Sequence, residues 1–149
     1  MKNYSTYSQL YLRLALGLGF IAAVADRLGL VGQAGQPNIA WGNWASFLSY
    51  THVLLPFLSK PLSDVMGWLA TIAEALFGLL LIIGYKTKLT AIGSGLLTLT
   101  FALAMVFASG WKAPFNYSVF AASAGAFVLA SIPYYRWSVD ALSTKNVIA

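Results

Sequence analysis

Two stretches of this chain, residues 66–84 and 89–109, hold a single ionisable side chain between them, Glu74. A helix needs about 20 mostly apolar residues to cross about 30 Å of hydrocarbon at about 1.5 Å per residue. Both stretches meet that test, and so do residues 9–30 and 117–135. In lipid, a helix is the only open-ended structure that satisfies its own backbone hydrogen bonds. The alternating in–out pattern of a membrane β-strand is absent. Composition points the same way: 59% of residues are hydrophobic and only 9% charged, whereas soluble proteins average about 25% charged. The expected fold is therefore all-α, an integral membrane four-helix bundle forming one domain over residues 1–149.

The first stretch has a second reading. Lys2 and Arg13, the apolar run that follows and Ala23-Val24-Ala25 have the form of a secretory signal peptide with its cleavage site. A retained helix is the expectation. Gly84 is placed to end the second span in a left-handed conformation. The short turn Tyr85-Lys86-Thr87-Lys88 makes the second and third spans antiparallel neighbours. Gly110 can close the third span, and Pro114 and Asn116 suit the start of the fourth. Between the first two spans, Trp44, Phe47, Leu48, Thr51, Leu54, Leu55 and Leu58 recur at helical spacing. This predicts an amphipathic helix over residues 43–58, too short and too polar to span, lying at the interface. Pro56 and Pro61 break it.

The net charge of +5 falls mostly between or beyond the apolar runs. That is the pattern of topology signals, so the lipid bilayer is the expected partner and nucleic acid is not. Lys2, Lys86, Lys88, Arg136 and Lys145 fall on one side; Lys60 and Lys112 fall on the other, with Arg27 near that edge. The positive-inside rule then makes the chain a multi-pass protein of the bacterial inner membrane. Both termini are cytoplasmic and the long first loop is extracytoplasmic. The absence of cysteine excludes disulfides, thiolate nucleophiles and Cys-ligated clusters. No metal site, phosphate-binding loop, dinucleotide fingerprint or nucleophile triad is visible.

Candidate site residues are the ionisable ones inside or beside the spans, because a charge at the centre of a membrane helix costs about 2.5–3.5 kcal/mol on insertion scales. Glu74, midway along the second span, is either a polar anchor in a membrane-embedded pocket or a helix–helix clamp to Arg13 or to the hydroxyls of Thr71, Thr98 or Thr100. Arg13 either snorkels to the interface or reaches inward to Glu74. Arg13 and Arg27 are fourteen residues apart and return to nearly the same helix face. Asp26 and Arg27 form either an interfacial charged pair or the mouth of a pocket. His52, the only histidine, sits on the flank of the amphipathic stripe near Trp41, Trp44, Tyr50 and Trp68. An imidazole there is either solvated or a hydrogen-bond donor to a quinone carbonyl. Trp44 and Trp68 are candidates to flank such a ring, although most of the aromatics are explained as interfacial belts. The small residues at Gly17, Gly93 and Gly95, and at 121–126, mark packing faces.

The segment Arg13-Leu14-Ala15-Leu16-Gly17, the glutamate in Ala73-Glu74-Ala75-Leu76-Phe77-Gly78, the Leu81-x-x-Gly84 ending and the short basic turn before the third span together resemble the DoxX family. The likeness covers residues 13–133. It is similar in pattern to the small membrane subunit of a thiosulfate:quinone oxidoreductase. The resemblance implies a four-helix bundle with a quinone and a redox partner protein, no intrinsic cofactor, and roles for Arg13 and Glu74. Many members carry Gly and Lys near the end of helix one, where this chain has Asp26 and Arg27. Three functions compete: a membrane subunit of a redox system that interacts with quinone or lipid through buried polar residues, a non-catalytic scaffold for a partner protein, and a small transporter. A transporter would need a homo-oligomer to supply the room that four helices lack.

Overall fold

The computed structural model describes residues 2–145, with side chains from residue 6 to residue 142. The side chains of Lys2 and Lys145, assigned above to the cytoplasmic side, lie outside that range. The helices are α1 (Lys2–Arg27), α2 (Trp44–Leu54), α3 (Lys60–Ile83), α4 (Thr87–Ser109), α5 (Ala113–Asn116), α6 (Val119–Ala130) and α7 (Val139–Lys145). The described residues contain no strand. Three helices are long and apolar enough to cross a membrane: Thr6–Arg27 within α1, then α3 and α4.

The fourth apolar helix is shorter than expected. The sequence pattern suggests 117–135, but α6 has 12 residues, about 18 Å of helix. Ser118 enters it from the left-handed region (φ 54°). The exit is set by Pro133, which disfavours helical geometry at Ile132 and offers no N–H. The amphipathic helix is likewise trimmed to Trp44–Leu54, begun by Asn43, whose side chain accepts from the Ser46 N–H at 2.8 Å. Pro61 sits in the first turn of α3 rather than before it, where its missing N–H costs nothing.

Much of the interior is small or polar, around an apolar cluster that includes Phe20, Leu81 and Leu129, and the periphery is large and apolar. Along α3 the buried positions are Ser63, Gly67, Thr71, Glu74, Gly78 and Leu81, spaced by three and four so that they share one face. On α1 they are Gln9, Arg13, Gly17, Phe20, Asp26 and Arg27, and on α4 Thr87, Ser94, Thr98 and Ala102 are among them. Leu76, Leu79, Ile83, Leu89, Leu96 and Phe107 point outward and are exposed. A soluble bundle would reverse this pattern; lipid permits it because packing, not water exclusion, holds membrane helices together. Several buried hydroxyls are satisfied within their own helices: Thr71 donates to Gly67 O at 2.9 Å, Ser94 to Thr90 O at 2.8 Å and Thr98 to Ser94 O at 2.8 Å.

α1 and α3 meet backbone to backbone. A Cβ at Gly17 would lie 2.9 Å from Gly78 O, and one at Gly78 would lie 3.1 Å from Gly17 O. On the other side of the molecule Ser123 of α6 donates to Gly95 O of α4 at 2.8 Å. Gly84 ends α3 in the left-handed conformation (φ 70°). Arg13 then fastens this end of the bundle. Its Nε donates to Leu81 O at 2.9 Å, and Nη2 donates to Ile82 O and Trp137 O, both at 3.1 Å. These are the carbonyls that a helix end and an irregular segment leave without partners. Asp140 completes the arrangement: its carboxylate accepts from the Lys86 and Thr87 N–H groups at 2.7 and 2.8 Å, capping α4 from a remote part of the chain.

Candidate functional site

The opposite end of α1 builds the site. The helix stops in a left-handed turn at Gly29 (φ 71°), with the Leu30 N–H returning to Ala25 O at 2.9 Å and the Gly29 N–H to Asp26 O at 2.9 Å. This closure leaves Asp26 and Arg27 on its last turn, and the two side chains part. Asp26 turns to the loop: Oδ2 accepts from Ala40 N–H at 2.8 Å, and Oδ1 accepts from Gly42 N–H at 2.8 Å and Trp41 N–H at 3.3 Å. A carboxylate holding three consecutive backbone N–H groups fixes residues 40–42 against the helix end. Gly42 (φ 66°) is obligatory there, since a Cβ would meet Ala34 N at 2.1 Å.

Arg27 turns inward to α3. Its Nη1 donates to Thr71 Oγ1 at 3.0 Å and forms an ion pair with Glu74 Oε2. The guanidinium carbon also lies 4.1 Å from the Phe47 ring centroid and 5.1 Å from that of Trp41. Because Asp26 holds the loop carrying Trp41 and α2 carries Phe47, the cation is enclosed by one carboxylate and two ring faces, a favourable desolvated arrangement.

This pair forms part of the wall of a cavity of about 940 Å³ between α1, α2, α3 and α4. Most of the remaining wall is apolar: Ala23, Leu54, Leu58, Met66, Leu69, Ala73, Leu97, Phe101, Ala104 and Met105 contribute, with Tyr50, Thr100 and Tyr117 as further polar groups. Burial, reinforced by nearby Tyr117, pushes the Tyr50 phenol above its usual range. The site combines an apolar volume, aromatic walls and one polar locus, which are the attributes of a ligand pocket.

Of the six residues singled out as ligand candidates, the structure brings Glu74 and Arg27 together at this cavity and puts Arg13, His52, Trp44 and Trp68 elsewhere. Arg13 does not meet Glu74. The α1–α3 crossing at Gly17 and Gly78 separates them: Glu74 lies four residues from the crossing toward Arg27, and Arg13 lies four residues from it in the opposite direction, about 6 Å each way. Trp44 and Trp68 pack against each other with their ring planes tilted by 49° and centroids 4.3 Å apart, outside the cavity lining. His52 is also outside it; its Nδ1 lies 3.1 Å from Ser63 Oγ, and since that hydroxyl donates to Lys60 O, Nδ1 is the donor. Asp26 and Arg27 do not pair with each other. The roles of Trp41, Phe47 and Tyr50 in the cavity wall carried no separate sequence signal, because aromatics at a membrane edge read first as belt residues. No family model, curated protein or solved structure matches the chain.

Proposed function

We propose that the chain binds a membrane-dissolved quinone in the cavity beside Arg27 and Glu74, as the membrane subunit of a redox system whose electrons come from a partner protein. The observation that carries this reading is a buried ion pair opening onto an apolar volume of about 940 Å³. Small-molecule sites run from about 300 to 1,000 Å³, so there is room for a substituted ring and the first part of its tail. Intramembrane charges are retained at a cost and usually mark a ligand or proton path. The likeness to the DoxX family supports the choice of a quinone among membrane amphiphiles. In this reading the termini are cytoplasmic, so the Arg27 end of the bundle faces the extracytoplasmic side. Arg27 supplies donors to the ring oxygen, Trp41 and Phe47 border the ring, and the apolar wall takes the tail.

The test is isothermal titration of the protein, in quinone-free nanodiscs, with short-tailed ubiquinone and menaquinone analogues. Saturable binding to one of them is expected. Ala73→Phe combined with Ala104→Phe fills the apolar volume without touching the ion pair and should abolish it. If neither analogue binds, and Glu74→Gln leaves quinone-dependent electron transfer in native membranes unchanged, the reading fails.

A further inference from the structure

The Arg27–Glu74 pair is incomplete as an ion pair. An arginine and a carboxylate can form two parallel hydrogen bonds, and buried pairs gain most when both are made. Here only one is made, from Nη1 to Oε2. The second donor of the same fork, Nη2, hydrogen-bonds to nothing among the described residues. Among the described residues Nε is buried without a partner, and Oε1 of Glu74 accepts no hydrogen bond there. Arg27 and Glu74 are each 4% exposed, and both residues line the cavity. The wall thus offers an open donor and an open acceptor on partners already joined to each other.

We infer that the cavity holds its ligand by a hydroxyl group lodged between Arg27 and Glu74, and so retains the quinol form in preference to the quinone. This rests on the proposed function and specifies its ligand. A hydroxyl oxygen accepts from the guanidinium while its proton is donated to the carboxylate, so one group bonds to both partners. A quinone carbonyl can only accept; it uses the arginine and leaves the glutamate oxygen buried and unpaired, which is where hydrogen-bond discrimination is strongest. The net charge of the pair is zero, so a neutral head adds no charge to the low-dielectric interior. Trp41, beside the guanidinium and only part-buried, gives an aromatic head a surface to lie on.

The experiment changes the ligand rather than the protein, so folding is not in question. A short-tailed benzoquinone, its quinol and the dimethyl ether of that quinol are titrated anaerobically into the same nanodisc preparation. The quinol should bind about tenfold more tightly than the quinone, the difference expected of one hydrogen bond to a charged group. The ether, which keeps the shape and loses the donor, should bind no better than the quinone. Equal or tighter binding of the quinone, or an ether as tight as the quinol, overturns the hydroxyl assignment while leaving quinone binding standing. Failure of all three to bind removes both.

Discussion

Arg27 and Glu74, 47 residues apart in the chain, are joined through Nη1 and Oε2 with side chains 4% and 5% exposed. Removing one partner strands a charge where water does not reach. Arg27→Met should therefore cost about 3 kcal/mol, read as a lowered unfolding midpoint in mild detergent. Arg27→Met with Glu74→Leu replaces the pair by apolar groups and should recover most of that loss. A double variant no better than the single one would mean that the pair does not govern stability at this point.

Arg13 makes a different prediction because its partners are carbonyls rather than an acid. Arg13→Met frees Leu81 O, Ile82 O and Trp137 O and should destabilise by about 2–3 kcal/mol. Protease sensitivity should appear in residues 131–140, which Arg13 holds to the end of α3. Ligand affinity should stay within twofold, since the cavity lies beyond the α1–α3 crossing. A large loss of affinity would show that the two ends are not independent.

Asp26 tests the roof of the cavity. Asp26→Asn keeps one acceptor oxygen and replaces the other with a donor, so the N–H groups of 40–42 lose part of their anchor. The expected loss is about 1–2 kcal/mol. Hydrogen exchange should accelerate across residues 31–43, and ligand binding should weaken as Trp41 leaves Arg27. Unchanged exchange in that loop would remove Asp26 from this role.

The Gly17–Gly78 contact is backbone on backbone, so it cannot be relieved by a rotamer change. Gly78→Val places carbon atoms against Gly17 O and Ile21 and should cost about 1–3 kcal/mol by overpacking. Gly19→Val adds a side chain where nothing lies within 4 Å and should have little effect. Similar unfolding midpoints for the two variants would contradict the close approach.

The spans were legible because charge-free runs of this length have few alternatives in any solvent. Gly84 was legible too, since a glycine ending an apolar run and followed by a short basic turn has a specific backbone role. Glu74 stood out by its isolation, but its partner did not. Arg13 and Arg27 lie on nearly the same face of α1, and only the height of the Gly17–Gly78 crossing decides which of them reaches α3 at position 74. That height is a tertiary quantity. The short α6 was obscured for a related reason: residues 131–135 are apolar enough to continue the helix, and it is the geometry imposed by Pro133 that stops it.

Because the two glycines touch with no side chain between them, α1 and α3 have a fulcrum. Arg27 lies ten residues from it and Arg13 four, arms of roughly 15 Å and 6 Å. Any splaying that lets a guest in beside Arg27 must be matched by a movement of less than half that size at Arg13, where rigid carbonyl contacts resist it. The short arm therefore resists movement of the long one, a restraint on how fast the helices can part beside Arg27 and not on how tightly the site holds what it binds.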